Sequence, residues 1–493
     1  MRNLGKIRKD INDIDGKIIR LLNERFFLSK EVGSYKRAHG MKVFDKDREK
    51  EILEKIKNEN KDYGKFLTEI YEKIMNLSKD LQKERFGLLG KNLGHSFSKL
   101  IHTKITSDNF EFFDLNEDEL DEFFKNKDFK GINVTMPYKK DVIKYLDDIS
   151  LKAKKIGAIN TIVNNKGKLK GYNTDYDGFL YNLKAHGIEV KDKKCLIFGK
   201  GATSKTVEVV LKDLGASEIV KLSRRFKPYF SDVEAYYDFE IIINATPVGM
   251  YPNNESYLKN INLDNFKNLY AIVDCVYNPL MTKILIDGKN KGLKFASGLD
   301  MLIGQGVRAS ELFLRKKHDI SVIKSIKKDI LEKRKNIALI GMPGSGKTSI
   351  GKILSQKLSR DFIDTDHIFE KKYGDIEEFF KKYGEDGFRK KESAIIREVC
   401  KNNGLIIGCG GGVVEKYQNY YPLKENSLIV EIKRDIESLD IENRPLSKKR
   451  GPREIYEMRK DMYEAFRDIE VKNYNIDKTV DQIIRKFYED ISN

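Results

Sequence analysis

The sequence predicts a multidomain chain: an all-α helical N-terminal domain followed by two α/β regions. Three observations carry this. Residues 1–84 contain no proline and space their apolar residues at alternating steps of three and four. From Phe86 the pattern switches to short apolar runs ending in glycine, as in Phe86-Gly87-Leu88-Leu89-Gly90, and strand-like and helix-like stretches then alternate to about residue 315. After a lysine-rich stretch from Arg315 to Lys335, a fresh apolar strand over Asn336–Ile340 opens a second α/β region that runs to the C-terminus.

Composition bounds the function. A chain of 493 residues suits about three domains at roughly 100–200 residues each. Hydrophobic residues at 40% and charged residues at 34% allow several buried cores and argue against disorder. No apolar run approaches the ~20 residues that cross a bilayer, and Met1-Arg2-Asn3-Leu4 leads into no apolar stretch, so neither a spanning helix nor a signal peptide is expected. Cys195, Cys275, Cys400 and Cys409 have no CxxC or metal spacing and read as reduced thiols of a cytoplasmic protein. The net charge of +17 fits nucleic acid or small anionic substrates. The lysines are spread along the whole chain, with no arginine-rich arm, RNP-like motif or zinc knuckle, so small anionic molecules are the expected partners, with no nucleic acid and no membrane.

The first helix carries the stripe Leu4, Ile7, Ile11, Ile14, Ile18, Leu21, Arg25, Leu28, Val32, Tyr35, the pattern of a packed helical seam. Arg25 stands where an aliphatic residue is expected. A guanidinium does not deprotonate, so a buried one needs an anionic partner, either an internal carboxylate or a ligand held between helices. Arg8, Lys36, Asp45, Arg48 and Glu49 accompany it, and Ser78 and Gln82 stand at i, i+4 on a later helix.

The runs Arg8-x-x-Ile11-x-x-Ile14-Asp15, Leu21-Leu22-x-Glu24-Arg25, Val32-Gly33-x-x-Lys36 and Asp45-x-x-Arg48-Glu49 resemble the all-helical chorismate mutases across residues 1–84. The resemblance implies a concerted [3,3] rearrangement of chorismate to prephenate, catalysed by positioning and by stabilising charge on the ether oxygen. It gives Arg8, Arg25 and Arg48 carboxylate and backbone-locking contacts, Lys36 and Gln82 the ether oxygen and Glu49 the ring hydroxyl. Asp45 and Ser78 join them as substrate-binding positions. Arg8 and Arg25 lie 17 positions apart, about 25 Å along one helix. If both serve one site, a second chain supplies one of them, which implies a homodimer through this domain. The alternative is a non-catalytic dimerisation or effector-binding module.

The first α/β region holds Gly94-His95-Ser96-Phe97-Ser98, Asn133-Val134-Thr135-Met136-Pro137-Tyr138-Lys139, Gly157-Ala158-Ile159-Asn160-Thr161 and Gly171-Tyr172-Asn173-Thr174-Asp175. His95 and His102, seven apart, lack metal spacing and read as structural or substrate-adjacent. Together these motifs resemble shikimate dehydrogenase. The implied domain is 85–330, with a substrate domain over 85–185 and 298–330 and a Rossmann NADP domain over 186–297. Ser96 and Ser98 would bind the substrate carboxylate, and Thr135, Asn160 and Asp175 the ring hydroxyls. Lys139 and Asp175 would form the catalytic pair, since hydride addition creates an alkoxide that needs a proton. Tyr277 and Gln305 would complete the pocket.

The strand Cys195-Leu196-Ile197-Phe198 leads into Gly199-Lys200-Gly201-Ala202-Thr203-Ser204 and a helix, a Rossmann-type turn for a diphosphate, with Ala202 where the family usually has glycine. The next strand ends Ser223-Arg224-Arg225, where NAD sites carry an acid. Two arginines either bind a 2′-phosphate, selecting NADP(H), or are simply solvated. Thr246 and Met250 match the nicotinamide-side loop.

In the second α/β region, Gly341-Met342-Pro343-Gly344-Ser345-Gly346-Lys347-Thr348 is a P-loop: its amides and Lys347 cradle phosphates and Thr348 ligates Mg2+, so ATP is the expected nucleotide. With Asp364-Thr365-Asp366, Phe388-Arg389, Gly410-Gly411-Gly412, Asn443-Arg444-Pro445-Leu446 and Tyr463-x-x-Phe466-Arg467, residues 334–493 resemble shikimate kinase. Asp366 would position the acceptor hydroxyl, Arg389 and Arg467 clamp the acceptor carboxylate, Gly410–Gly412 approach the ring, Arg444 reach the transferred phosphoryl group and Asp364 help hold Mg2+. The whole then reads as a three-enzyme chain of aromatic biosynthesis. Its rival, a basic nucleic-acid-binding ATPase, leaves Asp366, Arg389 and Arg467 without a purpose.

Overall fold

The computed structural model describes residues 3–39, 41, 45–60, 62–82, 85–93, 97–106, 110–252, 254, 261–439 and 451–492. They form two compact units: Met1–Asp177 with Gln305–His318, and Gly178–Gly304 with Asp319–Asn493. Among the described residues no helix is long and apolar enough to cross a membrane.

The first unit opens with three helices, α1 (Leu4–Ala38), α2 (Lys46–Glu59) and α3 (Gly64–Gln82). Asp45 caps α2 by accepting the Arg48 amide at 3.1 Å. The expectation of a packed seam along α1 needs correction. Leu4, Ile11, Ile14, Ile18, Leu21 and Leu28 are all exposed, whereas the half-buried positions are Leu22, Arg25 and Phe26, with Ser29 buried beside them. Of the stripe, only Arg25 is turned to α3, where it meets Ser78, and its apolar members stand exposed.

The rest of that unit is a mixed six-stranded sheet. Its elements are β1 (Phe86–Gly90), α4 (Ser98–Thr106), β2 (Phe110–Asp114), α5 (Leu120–Asn126), β3 (Gly131–Val134), β4 (Asp148–Ile149), α6 (Leu151–Ile156), β5 (Thr161–Asn165) and β6 (Lys168–Tyr172), followed by the start of α7 (Asp175–Ala185). The strand order is β2-β1-β3-β5-β6-β4, with β5 antiparallel to both β3 and β6. β1 is buried along its whole length, which is why it reads as a continuous apolar run rather than an alternating one. His102 is fully buried, stacked on Phe110 at 4.2 Å with Nδ1 2.8 Å from Ser310 Oγ, a core role. His95 lies outside the described residues.

The second unit holds two parallel sheets. The first comprises β7 (Lys194–Phe198), α8 (Ala202–Asp213), β8 (Glu218–Leu222), β9 (Ile241–Asn244), β10 (Ala271–Asp274), α9 (Lys283–Asn290) and β11 (Lys294–Ala296), in the order β11-β10-β9-β7-β8, and leads into α10 (Gly298–Leu314). α11 (Ile320–Arg334) follows. The second sheet comprises β12 (Asn336–Ile340), α12 (Lys347–Leu358), β13 (Phe362–Asp364), α13 (Thr365–Tyr373), α14 (Ile376–Val399, broken at Gly384), β14 (Ile406–Gly408), α15 (Tyr420–Asn426), β15 (Ser427–Lys433), α16 (Pro452–Phe466), β16 (Ile469–Lys472) and α17 (Ile476–Ser492). Its order is β13-β14-β12-β15-β16. α11 lies in this unit: Ile326 and Ile330 are buried, and the Tyr488 hydroxyl of α17 donates to Glu332 at 2.8 Å. In both sheets the strand order reverses at a central strand, β7 or β12, and the glycine turns follow the C-terminal ends of these strands, where open α/β sheets form their crevices.

Candidate functional sites

On the helical domain the structure joins two of the expected residues directly. Arg25 Nη1 donates to Ser78 Oγ at 2.5 Å, from α1 to α3. Ser78 also donates to the Ile74 carbonyl at 2.8 Å, so its hydroxyl is fixed by its own helix. Glu49 pairs with Lys79 at 3.0 Å, Lys36 is half-buried, and Arg8 is exposed on the unpaired part of α1. Two expectations differ. Asp45, expected among the substrate contacts, spends its carboxylate on the α2 cap. Arg48 is exposed and paired with Glu51 at 2.6 Å, because both sit one turn apart on the outer face of α2. The side chain of Gln82 lies outside the described residues.

In the mixed sheet, the turn after β3 and the start of α7 bring Lys139 and Asp175 together, Nζ to Oδ2 at 2.7 Å, with both side chains about four-fifths buried. Asn160 sits beside them in sequence order and is fully enclosed: its Oδ1 accepts the Thr174 amide at 2.7 Å, while its Nδ2 is buried without a partner among the described residues. An unsatisfied buried amide is costly unless a ligand completes it. Thr135 follows β3, with its amide bonded to the Leu89 carbonyl. Ser98 starts α4 and is buried, and Gln305 lies in the same unit on α10. Ser96 lies outside the described residues.

In the second unit, Gly199 has φ 118°, and a Cβ there would meet the Ala245 carbonyl oxygen at 2.9 Å, so the turn after β7 admits only glycine. Gly201 precedes α8 and has open space at its Cβ position. Ala202 and Thr203 open the first turn of α8, with Ala202 exposed. Arg224 and Arg225 are exposed past the end of β8, where Ser223 Oγ accepts the Arg225 amide at 3.2 Å. Thr246 Oγ1 donates to Asn244 Oδ1 at 2.6 Å and accepts the Val248 amide, fixing the loop that ends at the exposed Met250. Tyr277 is half-buried in this unit, and its burial raises its hydroxyl above the ordinary tyrosine value.

At the P-loop, Lys347 Nζ is buried and donates to the carbonyls of Gly341 and Met342 at 2.8 and 2.9 Å. Ser345 Oγ is buried without a partner among the described residues. Thr348 Oγ1 donates to Asp364 Oδ2 at 2.9 Å, and Asp364 Oδ1 accepts the Asp366 amide at 3.1 Å. A hydroxyl and a carboxylate at that spacing are the hard oxygen donors that Mg2+ takes.

Across from the P-loop, Gly410 approaches so closely that a Cβ would stand 2.6 Å from Asp366 Oδ1 and 2.8 Å from Glu392 Oε1. Gly412 does the same to Arg389, where a Cβ would lie 2.1 Å from Nη2. Arg389 is 3% exposed and bonds Glu392 at 2.8 Å and Glu415 at 2.7 Å. Burial pushes the Glu392 carboxyl above its ordinary value, against the pull of Arg389.

Arg467 does not join Arg389. It follows α16 and pairs with Glu431 and Glu470 at 2.6 and 2.5 Å, and with Glu464 at 3.2 Å. The arginine that does join is Arg459, which sequence reasoning missed. It is buried, donates to Glu415 Oε1 at 2.7 Å and reaches the Gly411 carbonyl at 3.2 Å. The available signal was its spacing: Arg459 stands one helical turn before Tyr463, whose hydroxyl also bonds the Gly411 carbonyl, at 2.5 Å. Glu392 and Glu415 were likewise missed. Arg444 lies outside the described residues.

Comparisons with known proteins agree with this three-part layout. Residues 7–83 match the family model for chorismate mutase type II, residues 88–162 that for the shikimate dehydrogenase substrate binding domain, and residues 343–492 that for shikimate kinase. A shikimate dehydrogenase (NADP(+)) of Clostridium beijerinckii is 38% identical over 249 residues, 47% of this chain and 92% of that protein. One from Clostridium perfringens is 40% identical over 271 residues, 51% of this chain and 98% of that protein. A solved chorismate mutase/shikimate 5-dehydrogenase fusion protein from Clostridium acetobutylicum is 30% identical, covers 51% of this chain and 98% of its own, and superposes with a TM-score of 0.47.

Proposed function

Because the chain belongs to the shikimate dehydrogenase family and carries a chorismate mutase domain before that region and a shikimate kinase domain after it, we propose that one polypeptide rearranges chorismate to prephenate, reduces 3-dehydroshikimate to shikimate with NADPH, and phosphorylates shikimate with ATP. The observation that carries the reading is the Lys139–Asp175 pair at 2.7 Å, formed by two motifs 36 residues apart. The proposed division is 1–84, 85–330 and 334–493.

For the reduction, the proposed role of Lys139 is to hold the carbonyl oxygen and pass it a proton as negative charge builds there, with Asp175 aiming the ammonium. The unpartnered Asn160 Nδ2 and Thr135 would take ring hydroxyls, and Ser96 and Ser98 the carboxylate. Tyr277 and Gln305 complete the proposed set. The Gly199–Gly201 turn with the first turn of α8 fits a dinucleotide, and Arg224 with Arg225 fits a 2′-phosphate. NADPH, when bound, supplies the hydride.

For the kinase, Asp366 is the proposed partner of the acceptor hydroxyl, packed against Gly410. Arg389, now with Arg459, is the proposed carboxylate clamp; Arg467 is spent on three glutamates. Lys347 and the loop amides would neutralise phosphate charge, and Arg444 would reach the transferred group. Thr348 and Asp364 would hold Mg2+, which would supply neutralisation of phosphate charge.

For the mutase, Arg25, Lys36, Gln82 and Glu49 line the proposed site, with Arg8 supplied by a second chain. The exposed stripe of α1 supports a homodimer formed through this domain, because a monomer would leave that apolar face in water. The cytoplasm, where ATP and NADPH are available, is the proposed compartment.

Three assays on the purified chain test the reading: prephenate formation, NADPH oxidation by 3-dehydroshikimate, and ADP release with shikimate. All three activities are expected. Prephenate formation alone missing would make residues 1–84 a non-catalytic module. With each charge-assisted phosphate bond worth about 1.5–3 kcal/mol, NADPH should be preferred over NADH at least tenfold; equal efficiency would remove Arg224 and Arg225 from cofactor selection.

A further inference from the structure

The second unit contains a cavity of about 580 Å³ that none of the three reactions uses. It lies between the α9–β11 side of one sheet and the α15–β15 side of the other, with α11 along it. That volume is within the range of small-molecule sites, about 300–1,000 Å³. Its walls are apolar where Leu280, Ile286, Leu299, Leu331 and Tyr420 line it.

Its polar lining is asymmetric. Lys327 is held by Asp300 at 3.1 Å, Lys335 by Asp490, and Lys424 by Asp468 at 2.7 Å. The fourth acid, Glu425, turns its carboxylate away to Tyr251 and Asn254. Lys289 also lines the cavity and has no carboxylate partner among the described residues. Arg467, also in the lining, is held by Glu431, Glu470 and Glu464 outside it, and His186 shares Asp300 with Lys327, so Lys289 is the one lysine of the lining with no carboxylate partner among the described residues. Burial lowers the Lys424 ammonium below the ordinary lysine value against the pull of Asp468, and Lys289 and Lys335 push it down further. Two more groups await a partner. Asn426 and Ser427, 2% and 4% exposed, line the same cavity, and Asn426 Nδ2 and Ser427 Oγ are buried without hydrogen-bond partners among the described residues. Buried donors left unsatisfied are costly, so a ligand acceptor there recovers stability as well as affinity.

We infer that this cavity is a binding site for a small organic carboxylate with a compact apolar body. The carboxylate meets the positive charge of Lys289 and the two idle donors, and the body covers the apolar wall. The site is separate from the proposed catalytic residues, so this inference stands or falls independently of the three activities.

The test uses the full chain and 3-phenylpropanoate as the probe, with binding followed by titration calorimetry. 3-Phenylpropanamide keeps the body and loses the charge; inorganic phosphate keeps the charge and loses the body. The acid should bind at least tenfold more tightly than the amide, and phosphate at the same concentration should not displace it. Lys289→Glu, at an exposed position that does not endanger folding, should weaken the acid at least tenfold and leave all three basal activities within twofold. Lys289→Gln should fall between. Equal affinity for acid and amide, displacement by phosphate, or unchanged affinity in Lys289→Glu would each overturn the inference, the last by moving the probe to a catalytic site.

Discussion

Arg389 and Arg459 reach the same carboxylate from opposite sides: Glu415 Oε2 lies 2.7 Å from Arg389 Nη2 and Glu415 Oε1 lies 2.7 Å from Arg459 Nε. Both guanidinium groups are almost wholly buried, at 3% and 4% exposure. Buried arginines need anions, and Glu415 supplies one to both. It does so at the wall where an acceptor's own carboxylate is proposed to bind, so protein and substrate compete for the same donors.

Glu415→Gln should therefore lower the kinase KM for shikimate, by about threefold or more given charge-assisted bonds of roughly 1.5–3 kcal/mol. The chain should also melt at a lower temperature, because buried Arg459 loses its carboxylate partner and Arg389 is left with Glu392 and Glu385. Initial-rate kinetics and a thermal scan on the same preparation read both effects. A raised KM would mean that Glu415 holds the arginines in place for the substrate rather than competing with it.

The Lys139–Asp175 pair gives a second expectation. Asp175 stands 2.7 Å from the ammonium, so Lys139→Gln removes the proton donor and leaves a hydrogen-bonding side chain of similar length. Turnover in the reduction should fall about 10²-fold or more, in line with general acid contributions. KM for NADPH should stay within twofold, and phosphorylation of shikimate should be unchanged. Stopped-flow absorbance at the nicotinamide band checks the first two; near-normal turnover would transfer the acid role to another group.

Much of this was legible in the sequence because motifs with built-in geometry announce themselves. The P-loop, the Gly199 turn, and Lys139 with Asp175 sit at strand ends whose apolar runs are plain to read. Arg25 was marked by its place in an apolar stripe, and the structure gives it Ser78 as a partner. The stripe itself misled: periodicity reports which residues share a face, and not whether the cover comes from the same chain. Arg459 and Glu415 escaped because they meet only when the short turn after Gly412 folds against α16, 44 residues later. Arg467 looked equivalent to Arg459, but it lies past the last turn of α16, where Glu431 and Glu470 of the adjoining strands claim it.

Glu425 sets a pH expectation. Its carboxylate accepts hydrogen bonds from the Tyr251 hydroxyl at 2.9 Å and from Asn254 at 2.6 Å. Burial nevertheless pushes its pKa up from 4.5 to about 7, against those two bonds. Between these values the folded chain holds a proton that the unfolded chain has released. Stability contributed by the neutral carboxyl is thus present at pH 4.5 and is lost as pH rises through 7. The melting midpoint should fall across that window in the native chain, and Glu425→Gln should flatten the fall. Parallel pH dependences in the two proteins would show that other groups govern it.

The last expectation concerns α1. Arg8 and Arg25 stand on one unbroken helix, Leu4–Ala38, and at 1.5 Å per residue their Cα atoms are about 25 Å apart. A substrate the size of chorismate cannot touch both from one chain. The exposed residues Ile11, Ile14, Ile18 and Leu21 lie between them, so the surface that a second chain would cover is the one separating the two arginines. Arg8→Ala and Arg25→Ala chains should each lack mutase activity as homodimers. Co-folded, they should recover some of it, because a mixed dimer assembles one site from two unaltered halves. Half of the dimers are mixed when chains pair at random, and each mixed dimer keeps one intact site of two, so recovery should approach about one quarter of the native rate. Differently tagged chains, purified through both tags, isolate the mixed species, which should show about half the native rate per dimer. Mixed dimers without activity would rule out a site shared between chains, and full activity in the Arg8→Ala homodimer would mean that Arg8 has no part in it.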